Sequence, residues 1–392
     1  MLDRALSIAD LRRLARRRLP GPIFDYIDGG ADDEQALANN TRAFSRYEIV
    51  PDVLTDVSAI RTSSTLFGQP VAWPLMLAPT GLTRMFHPGA EGAVARAASR
   101  HGVAYALSTM GTTRIEDWAA DFVGPRVFQI YVFKDRGLTA EFVERCKAAG
   151  VQGLTLTVDT PVAGNRERDH RNGLSLPPRL TLGSIASFAC HPMWSLSALT
   201  GRKFELANVS HRVDGLTRGS MSLFDYIGAQ FDRSLTWKDV EWLASVWGGP
   251  LSIKGVMTPE DAKRAVASGA TGVMLSNHGG RQLDEAPAPV DQITAVRDAL
   301  GDAPEIICDG GTRRGADVVK ALALGADGVS IGRPYLYGLA AGGEAGVDRA
   351  LTLLRAEFER ALALSGINDI AAIQSRHLRS AAFPSPNARS PS

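Results

Sequence analysis

Cysteine is scarce in this chain: Cys146, Cys190 and Cys308 are three among 392 residues and stand far apart. That spacing excludes a disulfide framework or a Cys-x-x-Cys metal site and points to free thiols in a reducing compartment, with no metal. Long apolar runs are missing too. No stretch of about 18 apolar residues occurs, so no helix of the sequence reads as spanning a bilayer. The opening residues, MLDRALSIADLRRLARRRLP, lack the apolar segment of a secretory signal. The expected location is therefore the cytoplasm, with peripheral contact on the inner face of the cell membrane as a refinement. Neither sign of charge prevails. Lys+Arg 43 against Asp+Glu 42 leave a net charge of +1, which argues against a nucleic-acid partner. Five arginines do crowd Arg12 to Arg18, and they read as the solvated face of a short helix. No G-x-G-x-x-G follows an apolar run and no G-x-x-x-x-G-K-[ST] occurs, so neither a Rossmann dinucleotide site nor a P-loop is supported.

What the chain has is repetition. At 45% hydrophobic and 22% charged it can bury a sizeable core. Short apolar runs recur: Pro74–Gly81, Tyr105–Thr109, Arg126–Val132, Gly153–Pro161, Leu251–Val256, Gly272–Gly280, Glu305–Gly311 and Gly328–Pro334. Helix-period stretches lie between most of them, several ending in Gly or Gly-Ala, a helix stop. Six of the seven spacings between run centres fall between 21 and 33 residues, and the fourth is 97. Strand then helix, eight times over, predicts an α/β fold, a (β/α)8 TIM barrel with a long insertion after strand 4. The barrel domain is expected over 1–380 and the insertion over about 180–220. A Pro/Ser-rich tail, 381–392, is expected to be disordered.

In such a barrel the chemistry lies at the C-terminal ends of the strands. The residues there are Pro79, Thr80 and Gly81; Ser108; Gln129 with Tyr131; Thr157 with Asp159; Lys254; Ser276 with His278; Asp309 to Gly311; and Gly332 with Arg333. Almost every strand thus ends in a hydrogen-bonding or charged group, which favours an enzyme. DGGTRRG and IGRP read as phosphate cradles, with Arg313 and Arg333 supplying charge. Lys254 at a strand end would stabilise negative charge on a bound ring. Asp159 and His278 come from strands four and six, close enough to pair across the barrel. The carboxylate is expected to orient the imidazole and to favour its protonated form. Arg281 and Arg166 offer planar forks for a carboxylate, and Tyr26 and Tyr131 offer hydroxyls to a substrate oxygen.

FDYIDGGADDE, LAPTGL, FQIYV, LTVDTP, IKGV, SNHGGRQLD, DGGTRRGADVVKALALGADGV and IGRP together resemble the FMN-dependent L-2-hydroxy-acid oxidase and dehydrogenase family. The resemblance runs from about Leu19 to Gly366, with features of the (S)-mandelate and quinone-type L-lactate dehydrogenase branches. It implies FMN as cofactor, a small 2-hydroxy acid as substrate, a quinone or O2 as electron acceptor, and a homotetramer. It also implies that Pro79, Thr80 and Gly81 back the flavin ring and that Ser108, Gln129, Thr157, Lys254 and Ser276 hydrogen-bond the cofactor. Asp309, Gly311, Arg313, Gly332 and Arg333 would hold its ribityl phosphate. His278, paired with Asp159, would take a proton from the substrate, whose carboxylate Arg281 and Arg166 would clamp. Gly81 and the segment Gly183–Ser210, with its His191-Pro192-Met193-Trp194 pattern, resemble the dehydrogenase branches, where that segment docks on a membrane. Met110 departs from the glycolate-oxidase pattern, which has tryptophan there, so pocket width and substrate stay open. The expected function is oxidation of a mandelate- or lactate-like L-2-hydroxy acid with a quinone as acceptor. A soluble oxidase making H2O2 is the alternative, a flavin scaffold without catalysis a third, and a flavin-free nucleotide-binding barrel a fourth.

Overall fold

The eight apolar runs become eight parallel strands: β1 (Leu75–Leu77), β2 (Ala104–Ser108), β3 (Arg126–Ile130), β4 (Gly153–Thr157), β5 (Leu251–Val256), β6 (Gly272–Ser276), β7 (Glu305–Asp309) and β8 (Gly328–Ile331). Each strand pairs with its neighbour in chain order, and β8 returns to β1, Val329 beside Leu75, to close the barrel. The fold is the expected (β/α)8 TIM barrel. Most strands stop short of their apolar runs, because the residues beyond them turn outward as the loops of the mouth. The computed structural model describes residues 2–173, 181–200, 204–210 and 231–381. The expected tail beyond 381, and residues 211–220 of the expected insertion, lie outside that description.

The strands are buried on both faces, as their continuous Val, Leu and Ile content requires. Inside, Met76, Ala104, Ala106, Val127, Met274 and Ile307 form a core layer. A hairpin, Ser64–Leu66 with Gln69–Val71, closes the barrel from its N-terminal end. Its tip residue Phe67 packs so tightly on the first residue of β4, Gly153, that a Cβ there would lie 2.4 Å from the ring.

Three helices precede the barrel: α1 (Ile8–Arg18), α2 (Gly21–Asp28) and α3 (Gln35–Arg42). Ser7 caps α1 by accepting the Asp10 N–H at 3.2 Å. Buried Ile8, Leu11 and Ala15 set α1 against the last helix, Arg333–Leu364, which kinks at Gly342–Gly343. The arginines of α1 are exposed, as expected of a solvated helix face, and three of them also reach neighbouring elements. Arg12 makes a two-pronged ion pair with Asp28 at 2.6 and 2.7 Å, Arg16 lies over the Phe24 ring, and Arg18 donates to the Ala341 carbonyl. A guanidinium has five donors, so a helix face rich in arginine can bind neighbouring elements as well as water.

The insertion after β4 contains short helices, Glu167–Arg171, Leu182–Ala189 and Pro192–Thr200. Its inner side is tied to the barrel: Ser187 Oγ accepts the Gly21 N–H at 2.8 Å, and Trp194 Nε1 donates to the Met85 carbonyl at 2.8 Å. Its outer side leaves Leu182, Met193 and Leu199 more than four-fifths exposed, at 87%, 82% and 85%. No helix among the described residues is long and apolar enough to cross a membrane.

Candidate active site

Strand register brings the mouth residues together in adjacent pairs. Ser108 faces Gln129 across β2 and β3, Thr157 faces Lys254 across β4 and β5, and Ser276 faces Asp309 across β6 and β7. Ser108 Oγ donates to Gln129 Oε1 at 3.0 Å and accepts the Met110 N–H at 3.1 Å. Gln129 Nε2 is left buried with no partner among the described residues. Such a donor costs about 1–3 kcal/mol unless something accepts from it, so a ligand acceptor is expected at this point.

Lys254, 4% exposed, sits at the end of β5. Its Nζ donates to Ser276 Oγ at 3.0 Å and lies 3.3 Å from Asp309 Oδ2. Ser276 in turn donates to Asp309 Oδ2 at 2.7 Å and accepts the backbone N–H of His278 at 3.0 Å. One hydroxyl therefore ties the ammonium, the carboxylate and the turn that carries the histidine.

That turn holds His278 at φ 58°, in the left-handed region. Its Nδ1 lies 3.0 Å from Asp159 Oδ1, across 119 residues of sequence. A proton on Nδ1, shared with the carboxylate, leaves the Nε2 lone pair free to accept another. The titration runs opposite to expectation. Burial lowers the His278 pKa, Asp159 raises it, Lys254 and Arg281 lower it again, and the net result is below the usual 6.5. One carboxylate does not outweigh burial and two cations. The carboxyl of Asp159 is itself held below its ordinary range: burial raises it, but His278 and Lys254 lower it further. At neutral pH the pair is a neutral imidazole beside a carboxylate, which is the form a base needs.

The expected carboxylate forks flank one phenol. The Arg281 and Arg166 guanidinium carbons lie 4.9 and 5.5 Å from the centre of the Tyr26 ring. Arg281 Nη1 donates to the carbonyls of Tyr26 and Gly29 at 2.7 and 3.1 Å, whereas Arg166 Nε lies 3.2 Å from Asp169 Oδ2. Tyr131 packs edge-on against Phe231, 4.9 Å between ring centres, and burial with nearby Asp159 pushes its hydroxyl pKa up, so it remains a donor. Tyr131 also walls a cavity of about 230 Å3 shared with Val158, Phe231, Leu235 and Trp237.

The side expected to hold a phosphate is less direct. Arg333 Nε, Nη1 and Nη2 donate to the carbonyls of Ile27, Gly279 and Gly29 at 2.9, 2.8 and 2.8 Å. Arg313 Nη1 donates to its neighbour's Thr312 carbonyl at 2.9 Å. Arg281, Arg313 and Arg333 have no carboxylate partner among the described residues, and burial pushes the Arg333 pKa down to about 10. Partly buried cations without counter-ions are a site for anions. Thr80 and Tyr335 share a hydroxyl hydrogen bond of 2.6 Å, while Pro79 and Gly81 lie partly exposed on the same loop. A Cβ on Gly81 would stand 2.9 Å from Met110 Cβ, so glycine here makes room for Met110.

One glycine in each of SNHGGRQLD and DGGTRRG also admits a close approach within the protein. A Cβ on Gly280, φ 72°, would lie 2.4 Å from the Leu37 nitrogen. On Gly311, φ 86°, it would lie 2.0 Å from the Asn40 carbonyl oxygen. Both let α3 press onto the mouth. Gly332, by contrast, has only ordinary contacts at 3.8 Å and opens the start of the last helix.

Other residues, three of them within SNHGGRQLD, support the site through contacts that the motif itself does not reveal. Asn277 and Asn40 exchange two amide hydrogen bonds of 2.7 Å. Gln282 Nε2 donates to the carbonyls of Asp159 and Val162, each at 2.8 Å, and Asp284 accepts the Ala36 N–H at 2.9 Å. Their partners lie more than a hundred residues away, and composition carries no such signal.

The sequence profile of the FMN-dependent dehydrogenases matches residues 15–380. A putative L-lactate dehydrogenase of Mycobacterium tuberculosis is 43% identical over 378 residues, 96% of this chain and 90% of that protein. Glycolate oxidase of Spinacia oleracea is 42% identical over 372 residues, 95% of both chains. The crystal structure of the monotopic membrane protein (S)-mandelate dehydrogenase superposes with a TM-score of 0.89 at 37% identity, covering 96% of this chain and all of that one.

Proposed function

The chain belongs to the FMN-dependent dehydrogenase family, and from that premise we propose that it oxidises a mandelate- or lactate-like L-2-hydroxy acid to the 2-keto acid, with a quinone as electron acceptor. The observation that carries this reading is the neutral His278 held 3.0 Å from Asp159 beside Arg281, which has no carboxylate partner among the described residues. The residues present fit FMN. Gln129 Nε2 is a buried donor with no acceptor among the described residues, and Arg313 and Arg333 are cations suited to a phosphate.

FMN, when bound, supplies the acceptor for the two electrons the substrate loses. Ser108, Gln129, Thr157, Lys254 and Ser276 would hydrogen-bond it, and Pro79, Thr80 and Gly81 would back it. Asp309, Gly311, Arg313, Gly332 and Arg333 would hold its phosphate end. Arg281, joined by Arg166, receives the substrate carboxylate, and that fixes which face of the hydroxy acid meets His278. Tyr26 and Tyr131 donate to the substrate's oxygens. His278 Nε2 takes one of the two protons released, and Asp159 offsets the imidazolium charge that forms, general-base catalysis worth about 10²–10⁴-fold.

The exposed Leu182, Met193 and Leu199 support a peripheral membrane contact through the insertion, which would bring a lipid-soluble quinone within reach. Likeness to a glycolate oxidase supports the second reading, in which O2 reoxidises the protein. A homotetramer rests on family likeness alone. An anaerobic substrate panel tests the function: mandelate or lactate should bleach the bound flavin. Mixing the reduced protein with O2 or a quinone analogue then separates the acceptors, and prompt peroxide at every turnover would overturn the dehydrogenase reading.

A further inference from the structure

Asp28, the last residue of α2, is 5% exposed and lies outside every role assigned above. Four donors from three distant elements converge on its carboxylate. Arg12 reaches both oxygens at 2.6 and 2.7 Å, Arg168 lies at 3.2 Å, and the Tyr337 hydroxyl donates at 2.8 Å. Burial raises the Asp28 pKa, but Arg12 and Tyr337 lower it further, so the group is ionised at neutral pH. Arg168 also pairs with Glu34, whose other oxygen accepts the Gly30 N–H at 3.0 Å. The turn from Asp28 to Gly30 is thus clamped on both sides.

A helix end leaves its last carbonyls without intrahelical partners, and cations are favoured there. At the end of α2 those carbonyls face the mouth of the barrel. Tyr26 and Gly29 receive Arg281, and Ile27 and Gly29 receive Arg333. One helix terminus therefore orients the guanidinium read as the substrate clamp and the one read as the phosphate contact. We propose that Asp28 is a positioning residue. By fixing the last turn of α2 through Arg12, Arg168 and Tyr337, it sets the angle at which Arg281 and Arg333 present their free donors. The two anion sites, for the substrate's carboxylate and the cofactor's phosphate, then share one brace. The proposal rests on the roles of Arg281 and Arg333 given under the proposed function.

Asp28→Asn removes the charge and keeps the shape. The expected result is a KM for the hydroxy acid raised about tenfold with kcat changed less than about threefold. The full-chain protein stripped of FMN should also lose about tenfold in FMN affinity, yet bind riboflavin, which has no phosphate, almost as before. Tyr337→Phe, a milder change that keeps the ion pairs, should move both readouts the same way by about two- to threefold, and it carries the test if Asp28→Asn does not fold. An unchanged KM, or equal losses for FMN and riboflavin, would overturn the proposal, because general loosening affects both flavins alike. Arg281→Lys separates the two layers of inference. If it leaves KM unchanged, the carboxylate reading of Arg281 fails; if it raises KM while Asp28→Asn does not, the brace alone fails.

Discussion

Replacing Asp159 with Asn tests the central pair. The side chain keeps its size, and Gln282 still anchors the loop through the backbone carbonyl of residue 159. The imidazole loses its counter-charge at 3.0 Å. At an effective dielectric of about 20, a full ion pair at that distance is worth about 5 kcal/mol. The proton is only partly on Nε2 at the transition state, and the His278 side chain is 28% exposed, so about half of that is at stake. A loss of about 2–3 kcal/mol is about a hundredfold in rate. A second signature has a definite sign. Asp159 is the main influence raising the His278 pKa, and without it burial, Lys254 and Arg281 act unopposed. The acid limb of the pH profile, already below 6.5 in the parent, should move to still lower pH as the rate falls. The assay is anaerobic stopped-flow reduction of the bound FMN by the hydroxy acid, from about pH 5 to 8. A reduction rate within about threefold of the parent, or an acid limb moved upward, would refute the pairing as the source of the base.

Three further outcomes follow from the geometry. Glu305 accepts the Phe67 N–H at 2.9 Å, and burial lifts its pKa from 4.5 to about 7. The folded value exceeds the unfolded one, so the stability it adds, about 3 kcal/mol, is full below pH 4.5 and lost as pH rises through 7. Glu305→Gln should remove that slope from denaturant titrations at several pH values, and an unchanged slope would contradict the assignment. Gly311→Ala places a methyl 2.0 Å from the Asn40 oxygen at a φ of 86°, and should cost about 3 kcal/mol in chemical denaturation. A loss below about 1 kcal/mol would mean α3 yields easily there. Gln129→Leu removes a buried donor that no described residue satisfies. It should leave the melting temperature of the flavin-free protein unchanged or higher while weakening FMN about tenfold in a fluorescence titration. Equal losses in both would refute Gln129 as a cofactor contact.

The barrel was legible because its signal is local. Each strand is a short apolar run, each crossover a helical period, and the run ends fall at one rim. The His278–Asp159 contact was legible for the same reason, since strand number and rim position place the two residues side by side. What escaped depends on partners far along the chain. Nothing local marks Asn40 as the partner of Asn277, or Asp28 as the anchor of Arg12 and Tyr337. The direction of the His278 shift escaped too, because sequence shows which charges are near but not how deeply they are buried. The glycines were readable as sites of close approach, but what approaches them is the backbone of α3. The arginines of α1 were legible as surface, but the ion pair of Arg12 was not, because the segment alone shows an amphipathic helix and not the carboxylate beside it.

The stretch SNHGGRQLD binds the N-terminal helices to the sixth strand, and that has a consequence for synthesis. Asn40 waits for a partner 237 residues later, Ala36 for one 248 later, and Tyr26 for one 255 later. At about 5–20 residues per second, the ribosome makes that partner about 12–50 s after α2 and α3 have been translated. The first helices of the nascent chain therefore have no native seat for most of its elongation, and they are natural clients for whatever shields apolar surface near the exit tunnel. A chain truncated before residue 276 carries five completed strands and lacks His278 and Arg281.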